Sequence, residues 1–98
     1  LSSRPDGAFE WDAAKARANL NKHGIDFADV APVFEDDRAI TMTDHLTAVD
    51  EQRFLTVGRD ARGRILVVAY TWRGSSIRIF SARRGTARER RAYWMGEP

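Results

Sequence analysis

The sequence predicts an α+β domain of order ααββββα: two N-terminal helices packed on a four-stranded antiparallel sheet, followed by a C-terminal helix. Three observations predict it. Up to about residue 34, helix formers and apolar residues recur at helical spacing. From Arg38 the period changes to two, in segments rich in β-branched and aromatic residues. Thr86-Ala87-Arg88-Glu89 then has the form of a capping box that opens a last helix. A length of 98 residues allows one domain with one modest core. Residues 9–98 are assigned to that domain. The first eight, Leu1 to Ala8, lack the apolar stretch and cleavage site of a signal peptide and read as a disordered or expression-derived leader.

The first helix is predicted over Ala13 to His23, with Asp12 as N-cap, four alanines as strong formers and Gly24 to close it. A second, short helix is capped by Asp26, with Asp29 three residues on and Phe27, Val30, Ala31 and Phe34 at helical spacing. Pro32 lies too deep for a first-turn proline, so a kink or a 3₁₀ turn is expected there. Four strands follow, Arg38–Thr43, Arg53–Arg59, Ile65–Trp72 and Ser76–Ala82. The turns Asp60-Ala61-Arg62-Gly63 and Arg73-Gly74-Ser75 are of hairpin length, so the last three strands should form an antiparallel meander. Asp44 to Glu51 is a looser loop. The run Ile65 to Tyr70 is apolar on both faces and should be the most buried element. Leu20, Ile25, Phe27 and Phe34 are the side chains expected to cover the sheet, and the last helix should run to Tyr93 or Trp94.

The net charge of +2 conceals two opposed halves. Residues 1–52 hold five Lys/Arg against eleven Asp/Glu, net −6, and residues 53–98 hold eleven against three, net +8. Fourteen of the sixteen basic residues are Arg, whose planar fork matches phosphate bidentately. This favours a polyanion, most simply RNA, as partner; the competing reading is that the acidic half neutralises the basic half within the fold and the arginines reflect a GC-rich genome. Cysteine is absent, which removes disulfides and thiolate chemistry and fits a reducing compartment, so the cytoplasm is expected. No stretch approaches the roughly 20 apolar residues of a membrane span. Two histidines at unrelated positions fall short of zinc spacing, and Glu35-Asp36-Asp37 lacks the glycine and spacing of a calcium loop, so neither metal nor cofactor is expected. Gly58, Gly63 and Gly74 read as strand ends and turns rather than a nucleotide loop.

The densest basic cluster is Arg78, Arg83, Arg84, Arg88, Arg90 and Arg91, with Tyr93 and Trp94 close by. Strict alternation places Ile77, Ile79, Ser81 and Arg83 on one face of the last strand and Arg78, Phe80, Ala82 and Arg84 on the other. Arg78 and Arg83 lie where a strand edge meets a helix start, which suits an anion held by guanidinium groups and free helix N–H groups. Tyr93 reads equally as a site residue and as a core aromatic under the last helix. Lys22-His23-Gly24 has two accounts of equal weight: capping of the first helix, or a proton-transfer imidazole beside a phosphate-binding lysine. His45, in the loop, has no evident partner.

Phe9-Glu10-Trp11-Asp12, Lys15, Asn19, Lys22-His23-Gly24 and Phe27 resemble the opening of the BrnT family of toxins from type II toxin–antitoxin systems. So do Arg53, Gly58-Arg59, Leu66-Val67-Val68, Arg78 to Arg84 and Glu89-Arg90-Arg91-Ala92-Tyr93, and the similarity covers roughly residues 9 to 94. It implies a RelE-like fold and a ribonuclease that halts translation, held inactive in a hetero-oligomer by a BrnA-like antitoxin with a DNA-binding domain. Without a metal, cleavage proceeds most simply by attack of the 2′-hydroxyl on the adjacent phosphate. The expected roles are His23 for proton transfer, Arg59, Arg78 and Arg83 for the phosphorane, Lys22 for a phosphate, and Tyr93 for orienting the nucleotide or donating a proton. Arg84, Arg88 and Arg90 are the expected substrate contacts. The competing reading is a non-catalytic basic module that binds an antitoxin or nucleic acid.

Overall fold

The computed structural model describes residues 8–44 and 52–96. Helix α1 spans Ala13–His23, as its signals predict: the Asp12 carboxylate accepts from the Lys15 N–H, and Gly24, at φ 72°, closes the helix by donating to the Leu20 carbonyl. The expected second helix is instead two 3₁₀ turns, Phe27–Asp29 and Ala31–Glu35. Pro32 enters the second turn at its start, where a missing N–H costs nothing, and the tighter turn delivers Phe27, Val30 and Val33 to the core.

Among the described residues the sheet has five strands rather than four and is mixed rather than wholly antiparallel. In chain order these are β1 (Phe9–Glu10), β2 (Ile40–Asp44), β3 (Arg53–Arg59), β4 (Ile65–Arg73) and β5 (Ser76–Arg84), arranged β1-β5-β4-β3-β2. Strands β3 to β5 form the expected antiparallel meander, and β2 extends it by pairing antiparallel with β3. Strand β1 adds parallel to β5, with Phe9 opposite Ile77 and Glu10 opposite Arg78, and Phe9 is held there by packing 5.6 Å from Phe34 between ring centres. Strand β2 starts two residues later than expected because Asp36 first makes a turn, accepting the Arg38 N–H on its carboxylate and the Ala39 N–H on its carbonyl. Helix α2 spans Ala87–Met95 behind the full Thr86/Glu89 capping box. The loop expected over Asp44–Glu51, with His45, lies outside the described residues apart from Asp44, as do Leu1 to Gly7 of the expected leader.

Strand β4 is buried on both faces. Leu66, Val68 and Tyr70 meet Ile77, Ile79 and Ala82 of β5 over the two 3₁₀ turns, whereas Ile65 and Val67 meet Val57 and Tyr93 beneath α2. Leu20 is not part of the cover, being 46% exposed. The helix turns Asn19 inward instead. Its amide nitrogen donates to the carbonyls of Ile25 (3.0 Å) and Ala82 (2.8 Å), and its oxygen accepts the Ala82 N–H at 3.1 Å. One side chain thus occupies the edge of β5 that β1 is too short to reach. Gly58 lies inside β3 rather than at a turn: a Cβ there would stand 2.8 Å from Val33 Cγ1 and 3.1 Å from the Val33 carbonyl oxygen. The glycine lets the second 3₁₀ turn close on the sheet.

Candidate functional site

Strict alternation fails in β5 at one residue. Ser81 pairs with Ala69 and Ile79 with Tyr70, so Phe80 is an extra residue, a β-bulge. Beyond it the faces exchange. Ala82 goes to the first core, and Arg83, expected beside Ile77 and Ile79, goes to the face of Arg78 and Ser81. That face is covered by α2 over Val57, Ile65 and Val67, with Leu55 packed at the margin. The remainder presents Arg53 and Leu55 from β3, Ala69 from β4, and Arg78, Ser81 and Arg83 from β5. The Arg53 guanidinium lies 4.0 Å from the Phe80 ring centre, a cation–π contact that anchors both at the bulge.

Arg83 is the most constrained of these arginines. Its two terminal nitrogens donate to the two carboxylate oxygens of Glu89, at 2.7 and 2.9 Å, in a bidentate pair. Glu89 also accepts the Thr86 N–H at 2.8 Å. The hydrogen bonds from Arg83 hold the Glu89 carboxyl at about 2, well below its ordinary value, and Glu89 in turn raises the pKa of Arg83. Both groups are charged at neutral pH, and the guanidinium is fixed at the mouth of the open face. Arg78 pairs more loosely, 3.6 Å from Glu10. Arg78 lies opposite Thr71 and Arg83 opposite Val67, four positions along β4 and so about 13 Å apart.

Tyr93 projects from α2 into the second core, 2% exposed, and donates to Asp36 Oδ2 at 2.6 Å. Burial and this bond push its hydroxyl up to about 12. The same carboxylate oxygen accepts the Arg59 N–H at 2.8 Å. Burial raises the Asp36 carboxyl, but the bonds from Tyr93, Arg38 and Arg59 outweigh it and its pKa lies below the usual carboxylate value. Asp36 therefore ties α2, the start of β2 and the end of β3 together.

Residues 11–89 match the family model described as the ribonuclease toxin, BrnT, of type II toxin–antitoxin systems. The chain belongs to the BrnT family. It is also similar to the crystal structure of the Brucella abortus ribonuclease toxin BrnT, with a TM-score of 0.64 and 28% identity over 81% of this chain and 97% of that one. A comparison with curated protein sequences finds no significant match.

In this BrnT-family chain the expected site residues fall in three places. Arg78 and Arg83 share the open face. Arg88 is on that side of α2, about 200° around the helix from Arg90. Arg59 lies beyond α2, in a depression of about 580 Å³ shared with Glu35, Asp36, Asp37 and Arg38, so it does not converge with Arg78. Arg84 and Arg90 line a third depression, at the end of the sheet. Lys22 and His23 close α1. Lys15 lies over Phe80 and Asn19 beside Ala82, a progression that carries His23 toward the Arg84 corner and away from the open face. Among the described residues the His23 side chain makes no hydrogen bond or ion pair, and Tyr93 has its hydroxyl committed to Asp36. Among the described residues, no group of three or more His, Asp or Glu is placed to hold a metal ion, and no helix is long and apolar enough to cross a membrane. Sequence reasoning missed Glu89 as the partner of Arg83, Arg53 on Phe80, and Asn19. The capping box was the one available signal for Glu89, because it fixes that side chain at the helix start.

Proposed function

We propose that this chain is the toxin of a type II toxin–antitoxin pair: a metal-independent endoribonuclease that takes RNA on the open sheet face, inhibits translation by cutting it, and is held in check by a BrnA-like antitoxin with a DNA-binding domain. The observation that carries the reading is the bulge at Phe80, which sets Arg83 on the face of Arg78 and Arg53. Guanidinium groups on one open face suit neighbouring phosphates of a strand, and Phe80 and Arg53 offer a flat surface for a base. In the proposed step the 2′-oxygen attacks phosphorus while its proton leaves to an acceptor, the P–O5′ bond breaks, and the 5′-oxygen takes a proton. The products are a 2′,3′-cyclic phosphate and a 5′-hydroxyl. Arg83, oriented by Glu89, is the group proposed to stabilise the phosphorane. His23 is not retained for proton transfer, because it sits at the α1 corner. Tyr93 is not retained as donor, because its proton is held by Asp36.

Purified protein incubated with RNA in EDTA tests this. Cleavage with cyclic-phosphate ends supports it, and Arg83→Ala should lower the rate on the order of 100-fold. Cleavage that needs a divalent cation, or a folded Arg83→Ala protein of wild-type rate, refutes it. The paired state of Arg83 favours a second reading, a module that binds RNA or antitoxin without chemistry, for which binding without product is the signature.

A further inference from the structure

We propose that the depression at the end of the sheet is a second subsite for single-stranded RNA, in which Trp94 stacks a base while Arg84 and Arg90 hold the flanking phosphates. This rests on the RNA reading above and extends it to the other side of α2. The depression holds about 330 Å³ between α2 and the β3–β4 turn, and its lining contains Arg64, Arg84, Arg90 and Trp94 but no carboxylate residue. Arg64 is neutralised by Asp60, 2.7 Å away. Arg84 and Arg90 have no acidic partner among the described residues. One Arg90 terminal nitrogen donates to the Gly85 carbonyl at 2.7 Å, which fixes the guanidinium and leaves its other donors for a ligand.

Trp94 is 51% exposed, although an indole of that size is ordinarily covered. Its ring is braced edge-on against Tyr93, with centres 4.9 Å apart at 84°, and it borders the depression of Arg59 as well as this one. An exposed aromatic plane between guanidinium groups matches the alternation of base and phosphate in a single strand. A peptide would want apolar walls, and Ile65 on the floor is already buried. Arg84 directly follows Arg83 in β5, so a strand leaving the open face reaches the depression by passing the start of α2.

The test is fluorescence anisotropy of a labelled 2′-O-methyl oligoribonucleotide, which lacks the attacking hydroxyl and stays intact. Trp94→Ala should weaken binding roughly tenfold and Trp94→Phe by no more than about threefold, since a phenyl ring still stacks. Arg84→Ala should reduce the slope of log affinity against log salt by about 0.7, one phosphate contact on a single strand. Absence of binding by the wild type, a folded Trp94→Ala protein that binds as tightly as the wild type, or an unchanged slope in Arg84→Ala overturns the proposal. Should Trp94→Ala not fold, Trp94→Leu, which keeps bulk but cannot stack, takes its place beside Arg84→Ala, and wild-type affinity in a folded Trp94→Leu protein overturns the proposal. A wild-type protein that binds the oligomer with these dependences yet cuts no RNA would remove the nuclease reading and leave the subsite standing.

Discussion

Replacing Asn19 by Ala removes three hydrogen bonds at once: two donated to the carbonyls of Ile25 and Ala82, and one accepted from the Ala82 N–H. Ile25 and Ala82 have no exposed surface and Asn19 is only 6% exposed, so water does not readily replace them. An unsatisfied buried polar group costs about 1–3 kcal/mol, and some relaxation is expected, so the loss should be about 3 kcal/mol. A domain of this size has about 5–15 kcal/mol in all, and the melting temperature should fall by roughly 15 °C. Urea unfolding should show a lower midpoint with an unchanged m-value. Asn19→Asp sharpens the test. Its carboxylate still accepts the Ala82 N–H but sets negative charge against two carbonyl oxygens, so its carboxyl should have a raised pKa. It should be less stable than Asn19→Ala at neutral pH and gain on it as pH falls and the carboxyl protonates. Because β5 continues from Ala82 into Arg83 and Arg84, both variants should also lose RNA affinity. A midpoint shift in Asn19→Ala worth less than about 0.5 kcal/mol would refute the reasoning.

Tyr93→Phe keeps the ring in the second core but loses the bond to Asp36, and should cost about 1.5 kcal/mol in urea unfolding while changing the cleavage rate by no more than a few-fold; a loss near 100-fold would restore Tyr93 as a proton donor. Glu89, whose carboxyl is held at about 2 in the folded chain against an ordinary 4.5, contributes stability that is present above pH 4.5 and lost as pH falls toward 2. Glu89→Gln should therefore show a shallower loss of stability over that window than the wild type, and identical slopes would refute the assignment. Gly58→Ala forces a methyl against Val33 and should destabilise by about 1–3 kcal/mol, read as a lower melting temperature, with Val33→Ala in the same chain recovering part of it.

Much of the fold was legible because it is signalled locally. Asp12, Gly24 and the Thr86/Glu89 box bound their helices within the chain itself, and the unbroken apolar run Ile65 to Tyr70 marks β4 as the strand buried on both faces. What stayed hidden depends on partners distant in sequence. Strand β1 has two residues and no pattern of its own, and exists because the edge of β5 accepts it beside Phe34. Leu20 looks like cover and Asn19 like surface, yet an open strand edge needs a donor and an acceptor more than it needs a methyl group. At the site the arginines were evident, but their sides were not, because the bulged Phe80 is an ordinary strand former with no glycine to betray it.

That single unpaired residue stands outside the register, so the residues on either side of it keep consecutive partners on β4. Exchanging Phe80 for another aromatic keeps every later side chain on its present side. Deleting it would join Ile79 directly to Ser81 with both still opposite Tyr70 and Ala69, so alternation would become regular while Ala82 stayed in the core and Arg83 on the open face. A one-codon deletion there should accordingly leave the later side chains on their sides and cost chiefly the Arg53–Phe80 contact, whereas an extra residue between Ser81 and Ala82 would have to widen the bulge or turn Ala82 out of the core.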